Sequence, residues 1–415
     1  MSGALGASLS IPQKPRLLVV PHIYADDISV REIEFARRLA SCFEVFVLKW
    51  RDALHVDSTT SLRRRLQQFS VAVSSALHHR KLLPEQRLDG EPGFTSIELP
   101  VWQPILLHRI LGPASALAFC QSRNRATLAS ILKAHHFTHV LYATQLFGTA
   151  RIPGIRSAYD IVDWFPDNEV AADRLAEIHR DLRRAAADVD TVFAVSEPLC
   201  EKLAKDCGIT ALPLPNGADL SRLRSVDPVR VRAIRAKLGL DNKFIFGYIG
   251  NHGPFTGVDL VINAFLSVRD RLPDAALLII GPSHYWQPLI DATRGRGVIS
   301  TGSITPSEIA AYFNALDVGV LAQGLTPGTD FAFQIKVVEY SACRKVVVST
   351  PLETWKRLRW PNVLLAEPNP TAWGDALVQA RSVAWQSDWD HFVEPYDWSI
   401  LAARIAEALL APPRA

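Results

Sequence analysis

Short apolar runs rich in β-branched residues recur along the chain, each followed by a turn and then a longer segment with helical spacing. A strand covered on both faces reads as a continuous apolar run, and parallel neighbours need a crossover long enough to be a helix. In the first half these runs are RLLVV (Arg16 to Val20), EVFVL (Glu44 to Leu48), HVLYA (His139 to Ala143), SAYDIV (Ser157 to Val162) and TVFAV (Thr191 to Val195). Between them, Val30 to Ala40 and Asp173 to Ala187 have the spacing of amphipathic helices. The second half repeats the pattern with FIFGYIG (Phe244 to Gly250), ALLIIG (Ala276 to Gly281), VIST (Val298 to Thr301), DVGVLA (Asp317 to Ala322), KVVVST (Lys345 to Thr350) and NVLLA (Asn362 to Ala366). The fold class that follows is α/β with parallel sheets.

The alternation pauses once, at LPLPNGADLSRLRSVDP (Leu212 to Pro228). A chain of 415 residues exceeds the roughly 100 to 200 of one ordinary domain, so the pause reads as a junction between two doubly wound, Rossmann-like domains. The reading is residues 1–218 for the first domain, 219–390 for the second and 391–415 for a final helix. Open parallel sheets bind ligands beyond the carboxyl ends of their strands, so chemistry is expected in a cleft lined by those ends.

Composition narrows the function classes. A hydrophobic fraction of 48%, a charged fraction of 21% and a net charge of +3 fit a packed globular protein and give no reason to expect a nucleic-acid partner. Five cysteines (Cys42, Cys120, Cys200, Cys207, Cys343) lack the short paired spacings of a zinc site and suit a reducing cytosol. The opening residues MSGALGASLSIPQKP lack a basic start, an apolar core and a small-residue cleavage site, so no export signal is read. Val101 to Cys120 is broken by Gln103, Pro104, His108, Arg109 and Pro113, too polar a run for a spanning helix. The segment Ser61 to Lys81 is basic at both ends and apolar between, which suits either a helix packed on its own domain or one lying on an anionic membrane surface near a lipid-linked acceptor.

Three segments can carry chemistry, and each has a plainer reading beside it. FGYIGNHGPFTGVDLVINAF (Phe244 to Phe265) is a strand, a glycine-bearing loop and a helix, a geometry that offers backbone N–H groups to a diphosphate but also serves any tight βα turn. QIKVVEYSACRKVVVST (Gln334 to Thr350) puts Lys336, Glu339 and Tyr340 on one helix face, with a lysine fit for phosphate and a carboxylate fit for sugar hydroxyls; a surface Lys–Glu pair is the plain alternative. PLPNGAD (Pro213 to Asp219), following AVSEPLCEKLAKD (Ala194 to Asp206), is a turn or linker whose interest lies in its position at the junction. Thr305, Pro306 and Glu308 form a capping box that starts a helix. On the other side, YDIVDWFPDN (Tyr159 to Asn168) crowds Asp160, Asp163 and Asp167 near a strand end, where a carboxylate can act as a general base or bind loop backbone. His22 follows the first strand and Arg31 opens the first helix; both are candidates for the acceptor side or for structural roles.

In this order and spacing, AVSEPL, PNGAD, GYIG with VDLVINAF, LPDAALLIIGP, the turn Gly302 to Ile309 and KVVEYSACRKVVVST resemble the GT-B glycosyltransferases of family 4, the bacterial group 1 enzymes, over most of the chain. The resemblance implies two Rossmann-like domains facing across a cleft, with the last helix, YDWSILAARIAEALL, crossing back to the first. It implies a nucleoside diphosphate sugar of UDP or GDP type as donor, no cofactor and no metal. The acceptor it implies is the hydroxyl of a glycan or lipid-linked glycan in bacterial polysaccharide or glycoconjugate assembly. It assigns the donor side to Gly250, Asn251, His252, Thr256, Ser303, Asp330, Phe331, Lys336, Glu339 and Tyr340, and the acceptor side to His22, Arg31, Asp160 and Asp167. Asp163, Lys336 and Glu339 are the catalytic candidates. Location follows as cytoplasmic, with association at the inner membrane face.

The match has gaps. Glu339 stands at the second glutamate of the family's E-x7-E motif, but Phe331, beside Asp330, stands at the first. The loop Arg and Lys common in the family are matched by Asn251 and Thr256. Two lost charge-assisted bonds weaken diphosphate binding by roughly 3 to 6 kcal/mol, and a helix N-terminus returns at most about 2 kcal/mol. Lys336 is therefore expected to supply the positive charge, with His252 second. Family 4 chemistry implies retention of anomeric configuration, the leaving phosphate taking the acceptor proton; an inverting relative would instead use a carboxylate such as Asp163. A catalytically weakened binding or scaffold protein is the alternative.

Overall fold

The structure is a computed structural model that describes residues 14–21, 30–52, 93–101, 111–143, 149–164, 172–254, 256–326 and 328–412. All eleven apolar runs form strands. The first sheet contains β1 (Arg16–Val20), β2 (Glu44–Asp52), β3 (Phe94–Val101), β4 (His139–Tyr142), β5 (Arg156–Ile161), β6 (Thr191–Ala194) and β7 (Leu212–Pro213). The second contains β8 (Phe244–Ile249), β9 (Ala275–Ile280), β10 (Val298–Gly302), β11 (Val318–Leu321), β12 (Val346–Ser349) and β13 (Val363–Leu365). The strands absent from the sequence reading are β3, where FTSIELPV mixes polar residues into the run, and the two-residue β7, whose side chains are exposed.

Described helices of the first half are α1 (Val30–Leu39), α2 (Pro113–Ala134), α3 (Ala172–Ala187) and α4 (Glu197–Cys207). The remainder are α5 (Leu220–Arg224), α6 (Pro228–Lys237), α7 (Val258–Ser267), α8 (Gln287–Ala292), α9 (Ile309–Ala315), α10 (Ile335–Ala342), α11 (Glu353–Leu358), α12 (Pro370–Arg381), α13 (Asp390–Val393) and α14 (Trp398–Leu410). The start of α4 follows from its sequence: Ser196 caps it by accepting the Leu199 N–H at 3.2 Å, a proline sits in the first turn, and Gly208 closes it in the left-handed conformation. The capping box at Thr305 forms one turn too early. Glu308 takes the Thr305 hydroxyl at 2.7 Å and its N–H at 3.3 Å, but the α-helix begins only at Ile309, so the box closes a preceding turn.

Strand order is β3-β2-β1-β4-β5-β6-β7 in one sheet and β10-β9-β8-β11-β12-β13 in the other, and the strand pairs described are parallel. Both share the doubly wound order in which chain direction across the sheet reverses, between β1 and β4 and between β8 and β11. Strands β1 and β9 are buried almost throughout, which is why they read as unbroken apolar runs.

The chain divides into two compact units: Met1–Asp160, Arg184–Thr191 and Ala402–Ala415 form one, and Ile161–Arg183 and Val192–Leu401 form the other. Helix α14 begins in the second unit and ends in the first, where Arg156 donates to the Ala408 carbonyl at 3.4 Å. The junction segment is built in rather than loose. Ala218 pairs with Asp397 in a parallel bridge, donating to the Tyr396 carbonyl at 2.9 Å and accepting from Trp398 at 3.2 Å. This approach explains the glycine of PNGAD, because a Cβ on Gly217 would lie 2.5 Å from the Tyr396 carbonyl oxygen. Gly217→Ala is expected to cost about 1 to 3 kcal/mol through forced backbone movement. A urea midpoint indistinguishable from that of the parent would refute this close packing.

Candidate active site

Three loops meet at the carboxyl ends of β8, β9 and β10. Gly250 donates to the Ile280 carbonyl at 3.0 Å, and Gly281 donates to the Gly302 carbonyl at 2.9 Å. Gly281 has φ +122°, and a Cβ there would lie 1.9 Å from the Gly250 carbonyl oxygen, so only glycine fits. Beyond this contact, the loop from Gly250 to Gly257 is held by neutral groups. The Trp286 indole N–H and the Thr256 hydroxyl both donate to the Gly253 carbonyl, at 2.8 and 2.7 Å. The Tyr248 hydroxyl bridges to the Ala322 carbonyl, joining this loop to the one after β11. Asn251 is exposed on the loop, and Ser303 is exposed just past β10.

His252 corrects an expectation. It is 2% exposed, its N–H donates to the Pro282 carbonyl at 2.9 Å, and its Nδ1 lies 2.8 Å from the Ser283 hydroxyl. Its ring stands edge-on to Tyr248 with centroids 4.8 Å apart. Burial pushes the imidazole down to about 4, so at neutral pH it carries no charge for a phosphate. The folded value lies below the ordinary 6.5, so the unfolded chain takes the proton more readily. This contribution to stability is complete above pH 6.5 and is lost as pH falls toward 4. Between pH 7 and pH 5 the parent should lose about 2 kcal/mol more than His252→Gln, read from urea midpoints. Parallel losses in the two proteins would show that His252 does not titrate in this way.

On α10, Lys336 Nζ lies 2.6 Å from Glu339 Oε2, and the two side chains are 25% and 14% exposed, so both retain access to solvent. The pair uses one carboxylate oxygen and leaves Oε1 available for another donor. Tyr340 departs from expectation: it is fully buried, its hydroxyl donates to the Gly247 carbonyl at 3.0 Å and accepts the Ile249 N–H at 2.9 Å. It braces β8 from beneath and has no surface for a ligand, because its aromatic bulk favours the core over the helix face that spacing alone assigned it.

Asp330 and Phe331 lie in a single 3-10 turn, Thr329–Phe331, just before α10, both half-buried. The following main chain is fixed from outside. The Ser196 hydroxyl donates to the Phe331 carbonyl at 2.5 Å, Thr354 to Ala332 at 2.9 Å and Asn216 to Phe333 at 2.7 Å. The Gln334 side chain then donates to Gln323 at 3.0 Å and accepts from the Trp355 indole at 2.8 Å. Sequence reasoning missed Ser196, Asn216 and Thr354 as site residues. The first two stand inside AVSEPL and PNGAD, where a cap and a turn former account for them locally.

The acceptor-side candidates divide. Arg31 and Asp160 form a two-pronged buried pair, Nε to Oδ2 at 2.8 Å and Nη2 to Oδ1 at 2.9 Å, with exposures of 4% and 1%. Neither can touch an acceptor; their function is to fasten the first turn of α1 to the end of β5. Arg31 is not the solvated helix residue its position allows, and Asp160 is held inside the fold while Asp163 is exposed two residues past β5. His22 and Asp167 lie outside the described residues, as does the segment Ser61 to Lys81.

Two doubly wound parallel sheets, with a glycine loop at the reversal point of the second and a Lys–Glu pair on the helix after β11, define a fold of the GT-B class. Residues 243–382 match the family described as "Glycosyl transferases group 1". The chain is similar to a GDP-mannose-dependent alpha-(1-6)-phosphatidylinositol monomannoside mannosyltransferase of Mycolicibacterium smegmatis, 27% identical over 266 residues, which is 58% of this chain and 68% of the relative. A D-inositol 3-phosphate glycosyltransferase of Segniliparus rotundus is 25% identical over 232 residues, with 49% of each chain covered, so the present chain spans about half of that relative. Among solved structures, Anabaena HepE in complex with UDP and glucose shares the fold with a TM-score of 0.66 at 16% identity, covering 95% of this chain and 99% of that one.

Proposed function

We propose that this chain transfers a sugar from a nucleoside diphosphate sugar of UDP or GDP type to a hydroxyl of a glycan or lipid-linked glycan in polysaccharide or glycoconjugate assembly. The observation that carries the reading is the partly exposed Lys336–Glu339 pair on α10. Glu339 Oε1 accepts hydroxyls of the donor ribose while Oε2 stays with Lys336, and the Lys336 ammonium faces the diphosphate. With His252 neutral and the Gly250 loop held by neutral bonds, the charge that stabilises the leaving group rests on Lys336, assisted by main-chain N–H groups.

The proposed reaction is retaining and independent of metal. The bond from the anomeric carbon to the β-phosphate oxygen breaks as the acceptor oxygen bonds to the same face, and the acceptor proton passes to the departing phosphate. Asp163 keeps an inverting course open as a base on the acceptor side. Relatives named for GDP-mannose and a fold neighbour containing UDP support the donor class. No described helix is long and apolar enough to cross a membrane, and a lipid-linked acceptor would be met at the inner membrane face by surface association.

The loop without its cations favours one second reading, a weakened enzyme that binds donor without turning it over. A screen of UDP- and GDP-sugars, following nucleotide release and thermal shift together, separates the two. Release above the hydrolytic background with an acceptor supports transfer, a shift without release supports the weakened protein, and neither response rejects both.

A further inference from the structure

One helix holds both the main chain and the side chain of Phe331. At its start, the Ser196 hydroxyl caps α4 and donates to the Phe331 carbonyl at 2.5 Å. Within the same helix, Lys202 Nζ lies 5.1 Å from the centre of the Phe331 ring and 5.3 Å from that of Trp164. It also pairs with Asp206 Oδ2 at 2.8 Å, which draws that carboxyl below its usual range. A lysine ammonium set between two aromatic faces is attracted to both, and more so where water is partly excluded. Trp164 is buried and directly follows Asp163, so a single cation connects the segment past β5 to the turn that precedes α10.

We propose that Ser196 and Lys202 are positioning residues for the donor site: they fix Phe331, and through it the segment that delivers Lys336 and Glu339. An aromatic ring at position 331 is then an anchor for Lys202, not a contact for the sugar. Presetting the segment spares the ordering that a loose loop would undergo at each binding event. The inference rests on the donor reading given above and adds to it the residues that set the site's geometry.

The test compares Ser196→Ala and Lys202→Met with the parent in the full chain, using amide hydrogen exchange over residues 328–336 and kinetics with the nucleotide sugar that the parent turns over. Lys202→Met retains the stem of the side chain and should fold normally. Asn369→Ala, which removes a comparable cap from α12, is the control for capping alone. In each test variant we expect exchange of this segment to rise about tenfold and the donor KM to rise about tenfold, with kcat nearly unchanged. Ser196→Thr and Lys202→Arg should restore most of both, and Asn369→Ala should change neither. Unchanged exchange or unchanged donor KM in both test variants overturns the positioning role while the donor reading stands. A parent that binds neither UDP nor GDP and uses no nucleotide sugar removes the donor reading, and the positioning role falls with it.

Discussion

Arg31→Ala should destabilise the protein by about 3 to 5 kcal/mol, because it leaves the Asp160 carboxylate charged and buried at 1% exposure without its two-pronged partner. Asp160→Asn should also be destabilising, because it removes the negative charge that faces a guanidinium at 4% exposure. The double substitution Arg31→Met with Asp160→Leu should recover most of the loss, since the cost lies in the unpaired charge and not in the absence of attraction. Urea midpoints of the three variants test this; single variants within about 1 kcal/mol of the parent would show that the pair is not structural. The expected outcome separates fastening from acceptor binding, because a purely functional pair would lower activity and leave the midpoint in place.

Glu339→Ala should raise the donor KM by about 10- to 100-fold, as the ribose loses a charged acceptor whose interaction is worth roughly 1.5 to 3 kcal/mol. Lys336→Ala should act mainly on kcat, because charge on the diphosphate grows as the glycosidic bond breaks and the ammonium counts for more in the transition state than before it. The two residues share the 2.6 Å contact, so their effects should not add, and a double-mutant cycle should return a coupling of about 1 kcal/mol or more. Independent, additive losses would indicate that the pair is not used as a unit. Near-normal kinetics for both single variants would remove this pair from the donor site.

The strands were legible because burial on both faces writes itself as an apolar run, as in AALLII at β9. β3 escaped because its run contains Thr95, Ser96 and Glu98, and β7 because two exposed residues carry no pattern. The Lys336–Glu339 contact followed from helical spacing, and Tyr340 did not: the same spacing that groups three residues on a face cannot tell which of them turns inward. His252 was legible as a member of the loop and misjudged in charge, since its protonation depends on the walls supplied by Tyr248 and Ser283. Arg31 and Asp160 are 129 positions apart, a separation over which nothing in one sequence announces a partnership. Ser196 and Asn216 were hidden for the same reason, because each reaches a carbonyl far along the chain, and Thr354 because a bond over 22 positions has no spacing rule to announce it.

The path of α14 bears on how this protein is made. Residues Ala402–Ala415 complete a unit whose other members begin at the opposite end of the polypeptide. A ribosome delivers the amino end first, so Met1–Asp160 is made long before the segment Ala402–Ala415 that belongs to the same unit. Its neighbour, Ile161–Arg183 with Val192–Leu401, is finished earlier although it starts later. The unit that the chain enters first is therefore the last to have all its segments made.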